Sequence, residues 1–429
     1  MKVLMYGWEF PPHISGGLGV ACHAMVTELS KKNIKVTLVL PQEITRIIDG
    51  NVSIVGCDAE VEQSAKEALF EVKRAPVTTW LNPYLSGRDY QYLCAHPAAL
   101  DFEKLRQLDF FKHLDSVDTI RLTGKYGNHL FAEVLYYAVI AGKLAQIISH
   151  DVIHVHDWLT VLAGVEAKKY SKKPLFFHIH ALEIDRSGEQ NNYNVFAIEK
   201  YGMEQADKII AVSQYTKNNI IKYYGIAPDK ITIIHNGSYP IIQPPGKSKL
   251  PHITKTVLFV GRLTFQKGPD YFIEAAKKVL DFRKDVKFIL VGHGDLMRGL
   301  IERVAYLGIG QHVHFAGFLT PAMVARIYGG ADVYVMPSVS EPFGLTCLEA
   351  LSRGVPAIIS KQSGAAEVLQ HTLKVDFWDV DEMTNKILAI LAHPPLVRTM
   401  LTNVKREIKA LTWDRTADEI IALYDSVKS

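Results

Sequence analysis

One stretch decides how this 429-residue sequence is interpreted: Ser340-Glu341-Pro342-Phe343-Gly344-Leu345-Thr346-Cys347-Leu348-Glu349. In it, two glutamates eight positions apart flank a Pro-Phe-Gly turn. A residue before proline is disfavoured in the helical conformation, so Glu341 is predicted to lie in an extended loop. Gly344 has no side chain, which lets the backbone approach a ligand closely. The pattern indicates a turn that opens a helix.

The start of that helix is a predicted anion site. The amides of Leu345 and Thr346 would have no partner within the helix, and the helix dipole adds partial positive charge there. Glu349, about one turn further on, could accept hydrogen bonds from hydroxyl groups. The stretch therefore predicts a site for a phosphorylated sugar. The alternative is a loop glutamate and an ordinary acidic residue near a helix start.

On both sides of this stretch, short apolar runs alternate with helix-length amphipathic segments. This alternation is typical of strand–helix units that build parallel sheets, and it occurs twice. We therefore predict an α/β protein with two such domains. The predicted strands are 3–6, 35–40, 152–156, 175–180, 208–212, 256–260, 287–291, 312–315, 333–336 and 357–359, with helices at 20–31 and 271–280.

A proline-rich segment marks the predicted domain boundary. Residues 239–248 combine prolines with small polar residues, which continue neither helices nor strands. We place the linker at 241–250, between a first domain at 1–240 and a second at 251–412. Residues 43–128 have weak periodicity and are predicted to be insertions in the first domain, with a fold that the sequence does not reveal.

The composition excludes some classes of protein. A hydrophobic content of 48% with 22% charged residues is ordinary for a globular protein. The formal net charge is only +3 and the basic residues are scattered, so no nucleic-acid partner is expected. The cysteines lie far apart in the sequence and predict free thiols in a reducing compartment; they are Cys22, Cys57, Cys94 and Cys347.

No membrane segment is predicted. No stretch reaches the roughly 18 uncharged apolar residues that a membrane helix needs. The chain passes from Met1-Lys2 directly into a strand-like run without an apolar leader. We expect a soluble cytoplasmic protein without integral membrane contact.

Polar side chains follow several of the predicted strands. Asp157, His180, Arg262, His293 and Glu341 each come at or just after the end of one of them. Because ligands bind at the carboxyl ends of the strands in open parallel sheets, we expect these side chains to line binding edges. For Asp157 and the following Trp, the simpler alternative is a helix N-cap and a core aromatic.

Two cations in one strand-to-helix loop form a candidate diphosphate site. Arg262 and Lys267 combine a guanidinium fork with a point charge, which suits such a ligand. The alternative is a pair of solvated surface cations.

Histidines alternate along two of the predicted strands. His154 and His156 share one strand face, as do His178 and His180. A zinc site is conceivable, but no third ligand lies at a recognisable spacing, so no metal site is assigned. Buried, hydrogen-bonded histidines are the simpler interpretation.

These residues together resemble a known group, the nucleotide-sugar-dependent retaining glycosyltransferases of the GT-B fold, in which two Rossmann-like domains face each other across a cleft. More narrowly, nearly the whole chain resembles the glycogen and starch synthases and their close relatives. The segments that carry the resemblance are Gly16-Gly17-Leu18-Gly19, His154-Val155-His156-Asp157-Trp158, His180, Ala211-Val212-Ser213, His235-Asn236-Gly237, Gly261-Arg262 to Lys267-Gly268, and Glu341 to Glu349.

The resemblance implies how the donor is held. Glu341 would bind hydroxyls of the donor sugar, and Glu349 would bind the ribose. Arg262 and Lys267 would neutralise the leaving diphosphate in place of a divalent ion, so no metal and no other cofactor is expected. The implied donor-binding residues are Gly17, Gly261, Arg262, Lys267, Gly344, Leu345, Thr346 and Glu349.

The resemblance also implies the chemistry. His180 would steady the transferred sugar, and Asp157 would sit near the acceptor. The implied catalytic residues are His180, Glu341, Arg262, Lys267 and Asp157, with no covalent nucleophile. Residues 413–429, with a helical pattern from Ala417 to Val427, would cross back onto the first, acceptor-side domain.

Three positions depart from the pattern of the bacterial glycogen synthases. Ile14 stands where they typically carry a lysine, and Ala181 replaces the asparagine after His180. Ser238-Tyr239 replaces an apolar residue and aspartate after Asn236-Gly237. The acceptor is therefore less well determined than the fold or the reaction class.

The resulting prediction is a glucosyltransferase that extends an α-1,4-glucan from ADP-glucose or UDP-glucose. One alternative keeps the fold and the donor but transfers the sugar to a small sugar, a lipid or a surface polysaccharide. A nucleotide-sugar epimerase of the same shape would turn over donor without acceptor. A two-lobed sugar-binding protein without catalysis is opposed by the set Arg262, Lys267, Glu341 and Glu349.

Overall fold

A computed structural model describes residues 1–11, 16–41, 46–49, 51–57, 130–188, 192–238 and 254–427. The predicted linker at 241–250, most of the region 43–128, Ile14 and Cys94 lie outside these residues. The described part forms two α/β domains, each built on one sheet with helices packed against it.

The first domain contains, within the described residues, an eight-stranded sheet in the order β3-β4-β2-β1-β5-β6-β7-β8. Every pairing is parallel except that of β3 with β4, which is antiparallel. The strands are β1 Lys2–Tyr6, β2 Lys35–Leu40, β3 Arg46–Asp49, β4 Val52–Gly56, β5 Val152–His156, β6 Leu175–Ile179, β7 Lys208–Ala211 and β8 Ile231–Ile233.

In the second domain, the described residues form a wholly parallel six-stranded sheet in the order β11-β10-β9-β12-β13-β14. Its central strands are buried runs of Val, Leu, Ile and Phe, because helices cover both faces of a parallel sheet. The strands are β9 Lys255–Val260, β10 Val286–Val291, β11 Val313–Gly317, β12 Val333–Met336, β13 Ala357–Ser360 and β14 Leu373–Val375.

Helices follow most strands. Those of the first domain are α1 Gly17–Lys31, α2 Leu130–Leu144, α3 Asp157–Ser171, α4 Glu183–Ser187, α5 Tyr193–Gln205 and α6 Gln214–Asn219. The remaining helices are α7 Pro269–Phe282, α8 Met297–Tyr306, α9 Pro321–Gly330, α10 Leu345–Ser352, α11 Ala365–Val368, α12 Val380–Ala392, α13 Pro394–Ala410 and α14 Trp413–Val427.

The predicted strands coincide with observed ones to within about two residues, and the structure adds β3, β4, β8 and β14. Two element ends differ for identifiable reasons. Strand β6 ends at Ile179, one residue early, because the His180 amide donates to the Asp157 carboxylate instead of continuing the strand. Helix α14 begins at Trp413, four residues before the predicted Ala417, and the Thr412 hydroxyl accepts from the Arg415 amide at its start.

The two domains also meet where the chain passes between them. The Ser238 amide donates to Leu411 O (2.8 Å), and Ser238 forms an isolated parallel bridge with Thr412. An added Cβ on Gly237 would lie 2.2 Å from Trp413 N, so only glycine fits this approach. The two segments that connect the domains, one around Ser238 and the other around Thr412, therefore lie side by side.

Helix α14 lies against the first domain. It contacts α1, and its buried face includes Ala417, Ile420 and Tyr424, which join the core around β1 and β2. On its exposed side, Lys32 of the first domain pairs with Asp414 and Asp418, both at 2.8 Å.

Among the described residues, no single helix is long and apolar enough to cross a membrane. Helices α12 and α13 pass that length and composition test only as a pair, and they are bent by 99° relative to each other. Among the described cysteines, Cys22 and Cys347 are buried free thiols.

Candidate functional site

The second-domain side of the site is built from two loops at the carboxyl edge of the sheet. The loop 261–268 follows β9, and the segment 337–341 follows β12. They are in backbone contact, because Gly268 has φ +62° and an added Cβ there would lie 2.2 Å from Pro337 O. This close approach places Lys267 beside Glu341, with Nζ 2.7 Å from Oε2.

Glu341 is held in a defined position. Its side chain is buried, and the Ser338 hydroxyl also donates to Oε2 (3.2 Å). Its backbone pairs with the segment before α11, through Glu341 N to Gln362 O (3.0 Å) and Gly364 N to Glu341 O (2.9 Å). The carboxylate is therefore oriented by its own backbone and by a cation rather than by solvent.

Helix α10 begins directly after this loop. Gly344 has φ +108°, and an added Cβ would lie 3.0 Å from Met336 Cε, so both conformation and space favour glycine. The amides of Leu345 and Thr346 are in the first turn, where helix geometry leaves N–H groups without intrahelical partners. The Thr346 hydroxyl accepts from Tyr334 OH (2.8 Å). The helix start thus has the geometry of an anion site.

Glu349 lies one turn into α10 and is partly buried. Burial raises the pKa of its carboxyl group, and the nearby Arg353 guanidinium opposes that rise. Arg353 also donates to the Glu349 carbonyl (3.0 Å).

Arg262 stands apart from this group. Its side chain is exposed, and no hydrogen bond or ion pair to it is found within the described ranges. The loop that carries it is fixed, because Leu263 N donates to His293 O (3.0 Å) and an added Cβ on Gly292 would lie 1.9 Å from Gly261 O. The structure therefore joins Lys267 to Glu341 and leaves the Arg262 guanidinium free.

On the first-domain side, Asp157 organises the loop that carries His180. Asp157 has φ +53°, and its Oδ1 accepts from His180 N (2.7 Å) and Ala181 N (3.2 Å). Arg186 closes the same loop by donating to Ala181 O (2.7 Å) and to Glu199 Oε1 (3.2 Å). Asp157 is buried, and its observed contacts are with this backbone and, at 3.8 Å from Oδ2, with Arg186 Nη2. Its expected place near an acceptor stays a prediction.

The His180 ring contacts that of His156, with His180 Nε2 3.0 Å from His156 Nδ1. Burial lowers its pKa, and the Asp157 carboxylate opposes that shift. Burial also raises the pKa of the nearby Glu199 to about 7, against the effect of Arg186.

The domains touch around the donor-side residues. An added Cβ on Gly17 would lie 3.8 Å from Leu345 Cδ1, so the N-terminal glycine segment faces the start of α10. Gly17 is the first residue of α1, whereas the sequence placed the helix start at Val20. An added Cβ on Gly188 would lie 3.3 Å from Phe265 Cε1, which brings α4 against the Lys267 loop.

Hydrogen bonds across the cleft involve residues that sequence reasoning did not select. The Ser340 hydroxyl donates to Asp185 Oδ1 (2.6 Å) and lies 2.9 Å from Tyr215 OH. Glu367 accepts from Gln214 N (2.8 Å) and lies 2.7 Å from His235 Nε2. No periodicity or spacing marks Asp185, Tyr215 or Glu367, because their partners are on the other domain.

Family models match both halves of the chain. Residues 84–238 match "Glycosyltransferase Family 4", and residues 244–407 match "Glycosyl transferases group 1". The second match includes Arg262, Lys267, Glu341 and Glu349, and the first includes Asp157 and His180.

Curated relatives span the chain at low identity. An uncharacterized glycosyltransferase of Methanocaldococcus jannaschii is 26% identical over 99% of this chain and 98% of its own length. The glycogen synthase of Mycobacterium tuberculosis is 25% identical over 100% of this chain and 95% of its own. A D-inositol 3-phosphate glycosyltransferase of Segniliparus rotundus is 26% identical over 67% of this chain and 70% of its own.

Solved structures share the fold. Sucrose-phosphate synthase of Thermosynechococcus elongatus superposes with a TM-score of 0.69 at 20% identity, over 99% of this chain and 98% of that one. Anabaena HepE, in complex with UDP and glucose, superposes with a TM-score of 0.67 at 18% identity over 100% of both chains. The GT-B fold that the sequence predicted is confirmed.

Proposed function

We propose that this chain is a nucleotide-sugar glycosyltransferase of the group 1 family with the GT-B fold. It transfers glucose from ADP-glucose or UDP-glucose to an α-1,4-glucan, with retention of configuration. The observation that carries the proposal is the contact of Lys267 with Glu341 beside the start of α10. The Glu341 carboxylate there offers a contact for sugar hydroxyls. The Lys267 ammonium and the start of α10 each offer a contact for phosphate.

Donor binding follows from this arrangement. The amides of Gly344, Leu345 and Thr346 bind the distal phosphate, and Glu349 binds the ribose. Lys267 turns from Glu341 toward the diphosphate, while the exposed Arg262 approaches from the neighbouring loop. These fixed positive groups stabilise the charge that develops on the leaving diphosphate, so no metal or other cofactor is required.

The transfer step uses no covalent enzyme intermediate. The acceptor hydroxyl oxygen attacks the anomeric carbon on the face from which the diphosphate leaves, and the bond from that carbon to the phosphate oxygen breaks. The departing phosphate takes the acceptor proton. His180 steadies the sugar, and Asp157 holds the loop that carries His180.

The glucan acceptor is supported by the glycogen synthase relative, whose similarity extends along the entire chain. A smaller acceptor, such as a sugar or inositol phosphate, is the second candidate. The names of the D-inositol 3-phosphate glycosyltransferase and of sucrose-phosphate synthase favour it. We expect the enzyme to act in the cytoplasm.

The test combines purified protein with ADP-glucose, UDP-glucose and other nucleotide sugars, with glycogen, with sugar phosphates, and without acceptor. Free nucleoside diphosphate and polymer-bound sugar are measured together. Glycogen-dependent release from a glucose donor supports the proposal. Release that depends only on a small acceptor moves the assignment to that acceptor, and donor isomerisation without acceptor would replace it with an epimerase.

A further inference from the structure

Three buried imidazoles come together in the first domain beneath the carboxyl edge of its sheet. His156 on β5 lies directly opposite His178 on β6, and His154 shares their face two residues earlier. The ring centroid of His154 lies 4.7 Å from that of His156 and 5.4 Å from that of His178. One ring nitrogen from each residue lies within 4.8 Å of the other two, and all three side chains are at most 1% exposed.

These rings contain several polar atoms without a partner. Nε2 of His154, Nε2 of His156 and both ring nitrogens of His178 are buried, and no hydrogen bond reaches them within the described part of the chain. Leaving a buried polar group unpaired is energetically costly, so four such atoms in one place call for a ligand.

The remaining nitrogens of His154 and His156 are held from outside the cluster. His154 Nδ1 lies 2.5 Å from Tyr424 OH on helix α14, and His156 Nδ1 lies 3.0 Å from His180 Nε2. Metal-binding histidines have this arrangement: one nitrogen binds the ion, and a hydrogen bond at the other fixes the ring and its tautomer. In both residues Nε2 is the nitrogen left to bind.

We propose that His154, His156 and His178 bind one transition-metal cation of the Zn²⁺ type. Three neutral imidazoles suit Zn²⁺ and its neighbours, whereas Mg²⁺ and Ca²⁺ require oxygen ligands. A water molecule completes a tetrahedral set, and its deprotonation would reduce the net charge of the buried site. The ion would tie β5 to β6 and, through Tyr424, to the C-terminal helix. This role is structural, and no step of the proposed transfer takes place on the ion.

The sequence showed only pairs of histidines at strand spacing. The third ligand appears because parallel pairing sets β6 beside β5 with His178 in register with His156. The tertiary structure therefore supplies the ligand whose absence had opposed a zinc site.

The test measures metal rather than activity. Full-length protein is treated with chelator, equilibrated with Zn²⁺ or Co²⁺, and passed through a desalting column, after which bound metal is counted per chain. The wild type is expected to retain one ion, to show the visible bands of tetrahedral Co²⁺, and to gain thermal stability with added Zn²⁺. Wild-type protein that retains no ion would overturn the proposal and leave three imidazoles around buried water.

Three variants locate the ion. His178→Phe is expected to lose the bound ion and the thermal shift, whereas His314→Gln, on an exposed residue of β11, keeps both. Tyr424→Phe keeps all three ligands and is expected to weaken metal affinity by about 10–100-fold through the lost outer hydrogen bond. Equal metal content in His178→Phe and wild type would assign the ion elsewhere and refute the site. If His178→Phe does not fold, the wild-type and Tyr424→Phe measurements still decide.

Discussion

Lys267 Nζ lies 2.7 Å from Glu341 Oε2, although the two residues are 74 positions apart in the chain. The contact exists because Gly268 lets the loop after β9 lie on the segment after β12. It joins a predicted phosphate-binding cation to a predicted sugar-binding carboxylate before any donor is bound. The same pair is therefore expected to contribute to the stability of the empty protein as well as to the proposed donor binding.

Lys267→Ala and Arg262→Ala should separate these two contributions. Both are expected to lower turnover by about a hundredfold or more, because each removes a fixed positive charge that would stabilise the leaving diphosphate. Only Lys267→Ala should also lower the melting temperature, since it leaves Glu341 buried without its cation. Steady-state kinetics and thermal unfolding measure both. Lys277→Ala, in an exposed ion pair on α7, is the control and should change neither.

Gly268→Ala should damage the site through the backbone. The new Cβ would lie 2.2 Å from Pro337 O at a positive φ, so the loop that carries Lys267 must move. We expect a lower melting temperature and loss of turnover. Gly299→Ala is the matched control, because Gly299 is in helix α8 with nothing within 4 Å of its added Cβ. It should be neutral or slightly stabilising; equal behaviour of the two variants would contradict the geometry.

Asp157→Ala should reduce turnover by releasing the His180 loop. The carboxylate accepts two backbone hydrogen bonds, and hydrogen bonds to charged groups contribute about 1.5–3 kcal/mol each. Asp157→Asn keeps an acceptor and tolerates positive φ, so it should retain most of the stability. Urea unfolding and kcat with saturating donor measure the difference. An Ala variant as stable and active as the Asn variant would show that the loop is held by other contacts.

Lowering the pH should weaken donor binding through Glu349. Burial raises the pKa of this carboxyl group, so it takes up a proton at a higher pH than an exposed glutamate would. Protonation removes acceptor capacity for ribose hydroxyls, so donor KM should rise as pH falls. The contribution of Glu349 to the stability of the empty enzyme should instead increase as pH falls. The folded state binds this proton more tightly than the unfolded chain does, and protonation relieves the cost of a buried charge. Glu349→Gln should bind donor more weakly and lose this part of the pH dependence.

Ile420→Ala should destabilise the protein without altering the chemistry. Ile420 is fully buried in the face of α14 that packs on the first domain, and such truncations cost about 2–5 kcal/mol. Denaturant unfolding measures the loss. Turnover per folded molecule should be unchanged, whereas deletion of residues 417–429 should prevent stable folding by exposing this entire interface. A deletion variant with unchanged stability would contradict the packing.

The sequence predicted the parts of this protein that depend on local pattern. Apolar runs bounded by Gly and Pro located the strands of both sheets, and the residues after them were placed correctly at strand ends. Strand β3 and its antiparallel pairing were not predicted, because the region from residue 43 lacks a clear period. The starts of α1 and α14 were placed late. Gly16 caps α1 without any side-chain hydrogen bond, and the bond from the Arg415 amide to the Thr412 hydroxyl at the start of α14 appears only in the structure.

The sequence by itself determined two parallel-sheet domains and the residue types at their edges, because periodicity and turn chemistry act over a few neighbouring positions. Only the tertiary structure decided which of those residues meet. Lys267 with Glu341, Asp185 with Ser340, and His178 with His154 and His156 are contacts between distant segments. Strand order, register and domain approach create them, and no local pattern encodes these three quantities.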